Sequence, residues 1–346
     1  MKKVGIVGHF GFGYNLLNGQ TIKVKILSEE FQEELGSENV MTVDTHGGIR
    51  RIPAMIGNTI AVFKECENCM VLPAYKGVLV FTPLFSLLNI IYHRKTYYIV
   101  VGGWLDSYLN KYKWLEKLLK NYTAICVETT TMKNALAKRG FENIELVANC
   151  KNLPELSIQD LPRNFTEPYA LCTFSRVMKG KGIENLIHAI QKVNEDAGHI
   201  VYTLDIYGEV WKDYTNEFKE LQKDFPEYIK YKGSVNYDKS VETLKNYFAL
   251  VFPTLFYTEG IPGTIIDAYA AGLPVISSKW ESYDDVIEDN ITGIGYEFGN
   301  DEALIDTLET IRHDPQKLID MKEACLRKAK EFSPRVIVGS FIQKFF

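Results

Sequence analysis

The sequence has neither a basic excess nor a long apolar run. Its 346 residues carry 39 Lys and Arg against 44 Asp and Glu, a net charge of −5. This balance argues against nucleic-acid binding, which needs a basic surface to neutralise phosphates. The longest uncharged run, residues 77–92, contains Thr82, Pro83, Ser86 and Asn89 and falls short of the roughly 20 apolar residues of a membrane span. We predict that this run is a buried element of a soluble domain.

Cysteine is scarce and scattered. The six cysteines stand at positions 66, 69, 126, 150, 172 and 325. A chain of this length needs no disulfides, and we expect a cytoplasmic location, where thiols stay reduced. Cys66 and Cys69 form a Cys-x-x-Cys pair, but no second Cys or His pair at zinc spacing accompanies them. We therefore expect one thiol in a strand and one in the loop before it, and no metal or redox site.

The net charge is divided unevenly along the chain. Residues 1–150 contain 17 basic and 13 acidic residues, whereas residues 151–346 contain 22 basic and 31 acidic residues. We therefore expect the two halves to face different partners.

Short apolar, β-branched runs alternate with longer amphipathic stretches through both halves. This alternation is typical of repeated βα units, in which helices cover a parallel sheet. We predict an α/β fold with strands at 3–7, 40–44, 69–73, 96–101, 124–128, 144–147, 169–174, 202–207, 229–233, 249–253, 274–277 and 293–296.

The length fits two domains of roughly 100 to 200 residues each. We place them at residues 1–155 and 156–333, because the proline-containing stretch 151–168 has no clear period and is the best linker. Residues 334–346 are apolar at helical spacing and should pack as a helix on a domain surface, that of the first domain being the candidate. Two open α/β sheets leave a cleft between them, and their ligands bind at the carboxyl ends of the strands.

The loop after the first strand is rich in glycine, with Gly8, Gly11, Gly13 and Gly19. It is not the dinucleotide-binding fingerprint, because position 16 is Leu16, and support for an NAD-dependent enzyme is lost. The loop leads into a predicted helix at 22–35, whose first amide groups can bind a phosphate that Gly19 lets approach. An ordinary βα loop explains the same residues equally well.

Residues 174–182 form a glycine-containing basic loop between a strand and a helix. Arg176 offers a planar fork and Lys181 a point charge, and together they suit a diphosphate. A solvated basic loop is the alternative.

The strand predicted at 249–253 leads into a Gly/Pro loop. A helix of small residues follows the loop, and a Gly-Leu-Pro turn at 272–274 follows the helix. Glu259 lies on the loop and Asp267 two helical turns later, so both can reach one elongated ligand. The helix begins near Gly263 and adds a partial positive charge for a phosphate.

These segments together resemble a known family. FSRVMKGKGIENLIHAI, LDIYGEV and EGIPGTIIDAYAAGLPVI follow one another between residues 169 and 297. In this order and spacing they resemble the retaining glycosyltransferases of family 4, and the resemblance covers nearly the whole chain. It implies the GT-B architecture, in which two Rossmann-like parallel-sheet domains face each other across a cleft.

The resemblance implies roles for individual residues. Arg176 and Lys181 match the basic pair that holds the diphosphate of a nucleotide sugar, and Glu259 matches the first acid of the E-x7-E motif, which contacts the donor sugar. Asp267 occupies the second acid position, usually Glu, which holds the ribose hydroxyls. The resemblance also implies that Gly19 lies on a loop that closes on the diphosphate, and that Gly233, Ser234 and Val235 line the nucleotide base. The segment whose backbone amides it implies for binding sugar and phosphate consists of Gly260, Ile261, Pro262, Gly263 and Thr264.

Catalysis is then expected from Arg176, Lys181 and Glu259, without a metal ion or other cofactor. Fixed donors aimed at the leaving phosphate lower the barrier to transfer, and the absence of a DxD triplet agrees with this expectation. Retention of the anomeric configuration needs no protein nucleophile when the departing phosphate takes the acceptor proton.

The acceptor is expected at the first domain. Trp104 and Asp106 follow one predicted strand and His46 follows another, so they can stack on a sugar or bind its hydroxyls. Packing or capping roles explain these residues as well.

Residues 109–122 form a basic amphipathic stretch, which either lies on an anionic membrane or packs its leucines on the sheet. Membrane contact would place the protein on the inner face of the plasma membrane, with a lipid-linked saccharide acceptor of the kind used for capsule, exopolysaccharide or O-antigen.

Two other functions stay open. A non-catalytic nucleotide-sugar-binding subunit would keep the same residues. A GT-B sugar-nucleotide epimerase would need more acid and base residues in the cleft, and the EGIPG loop argues against it.

Overall fold

The computed structural model describes residues 1–14, 19–47, 51–154 and 156–346. The chain divides into two compact units, the first comprising Met1–Asn152 with Phe332–Phe346 and the second Leu153–Glu331. The sequence placed the first boundary after Glu155, which lies outside the described residues, and the second boundary after residue 333, two residues beyond the end of the second unit.

The first unit is a six-stranded parallel sheet in the order β2-β1-β3-β4-β5-β6. Its elements are β1 (Lys2–Gly8), α1 (Gly19–Leu35), β2 (Val40–Asp44), α2 (Ile52–Glu65), β3 (Cys66–Leu72), α3 (Val78–Tyr92), β4 (Lys95–Ile99), α4 (Leu105–Lys111), α5 (Trp114–Leu119), β5 (Ala124–Val127), α6 (Thr130–Lys138) and β6 (Ile144–Leu146). Val4, Ile6 and Val7 of β1 are completely buried, because helices cover both faces of a parallel sheet.

The second unit is also a six-stranded parallel sheet, in the order β12-β11-β10-β7-β8-β9. Its elements are β7 (Tyr169–Phe174), α7 (Ile183–Ala197), β8 (Tyr202–Tyr207), α8 (Thr215–Lys223), β9 (Ile229–Gly233), α9 (Ser240–Leu244), β10 (Ala249–Phe252), α10 (Gly263–Ala270), β11 (Val275–Ser278), β12 (Gly293–Tyr296), α11 (Asp301–His313) and α12 (Gln316–Ala329). All twelve predicted strands are present, with ends that shift by at most three residues.

The final helix, α13 (Pro334–Phe345), packs on the first unit, as its apolar spacing predicted. The Phe341 ring lies 5.1 Å from the Tyr97 ring of β4 and 6.0 Å from the Phe31 ring of α1. The chain therefore returns to its first unit after completing the second.

The six cysteines are free and buried. Cys66 and Cys69 both lie in β3, so the prediction that one of them stands in a preceding loop is wrong. Burial raises the pKa of the Cys66 thiol to about 11 and that of the Cys69 thiol further still. Both are therefore neutral, unreactive thiols at physiological pH.

Two predicted helical segments, and the buried element predicted at 77–92, differ in the structure. The helix expected at 22–35 begins earlier, at Gly19. The stretch 109–122 is not one amphipathic helix but falls into the end of α4 and the short α5, with Tyr112 and Lys113 between them. The run 77–92 forms α3, and it is buried on one face only. Among the described residues, no helix is both long and apolar enough to cross a membrane.

A buried ion pair joins α1 to the end of β5. Lys23 Nζ lies 2.5 Å from Glu128 Oε1, and both side chains are at most 2% exposed. The second carboxylate oxygen of Glu128 accepts a hydrogen bond of 3.1 Å from the backbone amide of Gly102, in the loop after β4. The pair therefore fixes the first helix against the loops that follow β4 and β5.

We expect Lys23→Met to lower the free energy of unfolding by about 3–5 kcal/mol, because it leaves the Glu128 carboxylate buried without its charged partner. The double variant Lys23→Met/Glu128→Gln should recover most of this loss, since it removes both charges and keeps an acceptor for Gly102. Urea denaturation followed by circular dichroism measures the effect. Lys25→Met, at a partly exposed position of the same helix, is the control, and a Lys23 variant as stable as this control would contradict the prediction.

Candidate functional site

The loops after β7, β8 and β10 meet at one edge of the second sheet. Because parallel strands present their carboxyl ends at the same edge, segments far apart in the chain come together there. A parallel bridge joins Val177 to Val210, and the Leu255 amide donates a hydrogen bond of 2.9 Å to the Gly180 carbonyl. The predicted basic loop is thus held between the two other loops.

Lys181 and Glu259 form an ion pair at this edge. Their side chains are 16% and 17% exposed, so solvent reaches the pair only in part. The Thr254 hydroxyl donates a hydrogen bond of 3.1 Å to the same Glu259 oxygen, Oε1. The Lys181 ammonium also lies 5.0 Å and 5.3 Å from the ring centres of Phe252 and Phe256, where the faces of the rings attract a cation.

Arg176 lies over the indole ring of Trp211, with its guanidinium carbon 4.9 Å from the ring centre. Trp211 is held there by its backbone amide, which donates a hydrogen bond of 2.9 Å to the Val177 carbonyl. A stacked guanidinium keeps its edge available for an anionic group.

Two glycines allow the basic loop to pack against β10. Gly182 has a φ of +66°, and a Cβ there would stand 1.9 Å from the Pro253 carbonyl oxygen. A Cβ on Gly180 would stand 2.4 Å from the Phe256 ring. At Gly182 only glycine permits the approach, because the neighbouring group is backbone, whereas the Phe256 ring beside Gly180 can move aside. These approaches bring Lys181 within reach of Glu259.

The helix α10 starts directly after the Gly/Pro loop, at Gly263. Gly260 and Ile261 are buried, and Pro262 precedes the first turn. The Thr264 hydroxyl, in that turn, is buried and has no hydrogen-bond partner among the described residues. The start of α10 therefore offers an unsatisfied donor together with the positive end of the helix dipole.

Asp267 lies beside this edge but not at its surface. Its side chain is 2% exposed, and its Oδ1 accepts a hydrogen bond of 2.8 Å from the Ser240 hydroxyl. The predicted base-binding residues lie at the end of β9. Gly233 is the last residue of the strand and has a φ of +76°, and an exposed Ser234 and a partly buried Val235 follow it.

In the first unit, His46 belongs to a hydrogen-bonded chain at the ends of β1 and β2. Its Nδ1 lies 3.0 Å from His9 Nε2, and His9 Nδ1 lies 2.8 Å from the Thr21 hydroxyl. Burial, together with the neighbouring His46, lowers the pKa of His9. The ring of Tyr14 covers His46 at 4.9 Å.

Asp44, at the end of β2, organises the loop around these histidines. Its carboxylate accepts hydrogen bonds from the amides of Phe10, Gly11, Phe12 and His46. Burial opposes ionisation, but the four amides outweigh it and hold the pKa of Asp44 below its ordinary value. Gly19 stands exposed in the first turn of α1 in the same unit, and residues 15–18 of its loop lie outside the described residues.

The other two predicted acceptor residues are engaged by their own unit. Trp104 Nε1 donates a hydrogen bond of 2.7 Å to the Val101 carbonyl, and its ring packs on Tyr75 and Tyr108. Asp106 Oδ1 lies 2.5 Å from Arg139 Nε in an ion pair. Packing and pairing therefore account for both side chains.

Sequence reasoning missed the residues that support the predicted ones. Trp211, Thr254 and Ser240 hold Arg176, Glu259 and Asp267 respectively. Trp211 and Thr254 each follow a predicted strand, and this position is the one feature of the sequence that could have marked them as site residues. In the described part of the chain, no group of three or more His, Cys, Asp or Glu side chains is placed to hold a metal ion.

Comparison with known proteins identifies the family of the second unit. The family described as "Glycosyl transferases group 1" matches residues 158–331. The amylovoran biosynthesis glycosyltransferase AmsK of Erwinia amylovora is 27% identical over 146 residues, which cover 40% of this chain and 34% of that protein. An uncharacterized glycosyltransferase of Methanocaldococcus jannaschii is 23% identical over 158 residues, 44% of this chain and 36% of its own. The chain thus matches about a third of the length of these curated relatives.

Solved structures resemble the whole chain in fold. HepE of Anabaena, solved in complex with UDP and glucose, has a TM-score of 0.75 at 14% identity over 99% of both chains. Sucrose-phosphate synthase from Thermosynechococcus elongatus has a TM-score of 0.75 at 13% identity over 100% of this chain and 98% of its own. These likenesses confirm the predicted GT-B fold class, with two Rossmann-like units. Because the family match spans half of its residues, the chain belongs to the glycosyl transferases group 1 family.

Proposed function

We propose that the chain is a retaining glycosyltransferase of family 4, which moves a sugar from a nucleoside diphosphate donor to a saccharide acceptor. The observation that carries this proposal is the Lys181–Glu259 ion pair, held by Thr254 beside the stacked Arg176. Two cations and a carboxylate at the carboxyl ends of β7 and β10 match the two parts of such a donor: the cations match the anionic diphosphate, and the carboxylate matches the sugar hydroxyls.

In this proposal the donor exchanges the partners of Lys181. A diphosphate carries more negative charge than Glu259 and attracts the ammonium group more strongly. Once Lys181 turns to the diphosphate, Glu259 is left to accept hydrogen bonds from the sugar hydroxyls, with Thr254 keeping its orientation. The empty site thus holds its two opposite charges neutralised until the donor arrives.

The start of α10 completes the phosphate site in this proposal. The Thr264 hydroxyl and the amides of the 260–264 loop donate toward the leaving phosphate, where negative charge grows during transfer. Such fixed donors typically lower the barrier by a few kcal/mol each. We propose that Arg176, Lys181 and these donors act without a metal ion. The ribose contact of Asp267 then replaces the hydrogen bond that Asp267 accepts from Ser240.

We further propose that the acceptor is a saccharide, lipid-linked, in surface polysaccharide biosynthesis on the cytoplasmic side of the plasma membrane. The role of AmsK in amylovoran biosynthesis supports this pathway. His46, Trp104 and Asp106 are the acceptor-binding candidates of the first unit, and each also contacts neighbours within that unit. The uridine nucleotide of the HepE structures makes a UDP-sugar the first donor to test.

A thermal-shift screen of UDP-, GDP- and dTDP-sugars tests donor binding. A donor present at about 100 times its Kd should stabilise the protein by roughly 2.7 kcal/mol. We expect one nucleotide series to raise the melting temperature, and to do so without added divalent metal and in the presence of EDTA. If none of the three series shifts the melting temperature, the proposed donor class is wrong.

We expect Arg176→Ala and Lys181→Ala each to lower turnover at least tenfold, because each removes a charge-assisted contact worth about 1.5–3 kcal/mol to the diphosphate. The measurement is release of nucleotide from the donor identified by the screen. Lys179→Ala is the matched control, since Lys179 lies on the same loop with a side chain that is 77% exposed. Full activity in both variants would contradict the assignment of the site.

We expect Glu259→Gln to lower kcat at least tenfold at saturating donor, since the neutral amide is a weaker acceptor for the sugar hydroxyls. The affinity for the free nucleoside diphosphate should stay the same or rise, because Lys181 no longer has a carboxylate partner. Calorimetry measures this affinity, and Glu217→Gln at an exposed position of α8 is the control. An unchanged kcat would exclude Glu259 from contact with the sugar.

A further inference from the structure

The helix α3 is apolar on the face that it turns away from the protein. None of its 15 residues is charged. Its inner face buries Phe81, Phe85 and Leu88 against the first sheet. Its outer face, which we call the α3 face, consists of Val80, Pro83, Leu84, Leu87, Ile90 and Ile91. Leu87, Ile90 and Ile91 are 59%, 70% and 63% exposed.

The α3 face differs from the usual surface of a helix in a globular protein. Such a helix packs one apolar stripe and turns polar residues to water. Single exposed apolar side chains are common, but a contiguous group on one element marks a contact surface. Of these outer side chains, Leu84 still packs against the core of the unit, whereas Leu87, Ile90 and Ile91 are mostly exposed.

The helix α5 lies beside α3 and extends this surface. On one flank of α5, Glu116 forms an ion pair of 2.8 Å with Arg139, which follows α6. Trp114 precedes Glu116 by two residues, roughly 200° around the helix axis, and so lies on the opposite flank. Trp114 is 51% exposed on that flank, and α5 packs against α3.

The surroundings of the α3 face are basic. Residues 73–122 contain seven Lys and Arg residues against two acidic residues. Both acids, Asp106 and Glu116, are paired with the same Arg139, whose single positive charge offsets half of theirs. The lysines at 76, 111, 113 and 117 are exposed. The charged groups thus flank an apolar centre and do not interrupt it.

We propose that the α3 face, together with Trp114 and the lysines of α5, binds the surface of an anionic lipid bilayer. Aliphatic side chains without a polar anchor suit the acyl region, whereas lysines at the edge suit anionic headgroups. A tryptophan at the boundary suits the interface between them. This surface centres on α3, and the stretch 109–122 contributes only its edge. The proposal extends the proposed function, on which it rests only for the lipid-linked nature of the acceptor.

Co-sedimentation with vesicles tests the surface on the full chain. We expect binding to vesicles of equal parts phosphatidylglycerol and phosphatidylcholine, and at least tenfold weaker binding for Leu87→Ser/Ile90→Ser/Ile91→Ser. The matched control is Ile158→Ser/Ile200→Ser/Ile291→Ser, which removes three similarly exposed side chains from the second unit and should bind as the unchanged chain does. Both triple variants alter exposed positions, and thermal denaturation checks that each is folded.

The contributions of the α5 lysines and of Trp114 to membrane binding can be measured separately. Lys113→Gln/Lys117→Gln should weaken binding to the anionic vesicles several-fold and reduce its dependence on salt. Vesicles with brominated acyl chains should quench part of the tryptophan fluorescence, and Trp114→Phe should abolish that quenching. Fluorescence that brominated lipid leaves unchanged would contradict insertion of this surface.

Three results would overturn the proposal: no binding of the unchanged chain to anionic vesicles, equal binding by the two triple variants, or a dimer that only the α3 variant dissociates. The last result would make the α3 face an interface between copies of this chain. Donor binding in the thermal-shift screen needs no vesicles, so it should be the same in the α3 variant and the unchanged chain. Failure at the membrane can therefore be told apart from failure of the proposed function.

Discussion

The parallel direction of the strands determines where chemistry can occur in this protein. In both six-stranded sheets every strand ends at the same edge of its sheet, and the loop that follows each strand begins there. Arg176, Trp211 and Glu259 follow three different strands and are far apart in sequence, yet the second sheet alone brings them together. The close packing depends on Gly182, because any side chain there would collide with the Pro253 carbonyl. The geometry of the sheet thus sets the positions of these side chains, and Gly182 allows the basic loop to pack closely against Pro253.

The ion pair between Lys181 and Glu259 links this geometry to electrostatics. A lone cation in a partly enclosed site would lose hydration without compensation, and a lone carboxylate would lose it likewise. Paired, the two charges stabilise each other, and in the proposed function they bind a ligand that carries a phosphate at one end and hydroxyls at the other. Pairing therefore lets an ammonium and a carboxylate group lie in the same partly enclosed site with little uncompensated loss of hydration. Thr254 restricts the carboxylate, so the exchange of partners mainly involves the flexible lysine.

Most of the fold was predictable, because β-branched runs and amphipathic stretches are local signals. The strand at 229–233 and the helix beginning at Ile183 needed no knowledge of distant residues. The buried pair of Lys23 and Glu128 was not predictable, since 105 residues separate its members and neither has a local sign of burial. Asp267 shows the same limit within the site: the motif gave its position, but only the packing of Ser240 shows that its carboxylate is enclosed.

The error over α3 shows what composition alone leaves open. An uncharged helix must avoid water on its whole circumference, and the sequence suggested that protein covers all of it. The sheet covers only the side of Phe81 and Phe85. Leu87, Ile90 and Ile91 are more than half exposed, so folding alone places little demand on their being apolar. In the proposed membrane surface, these apolar side chains enter an environment that excludes water, and the exposed lysines suit its anionic headgroups. The positive charge of the first half then acquires a physical function in the proposed membrane surface.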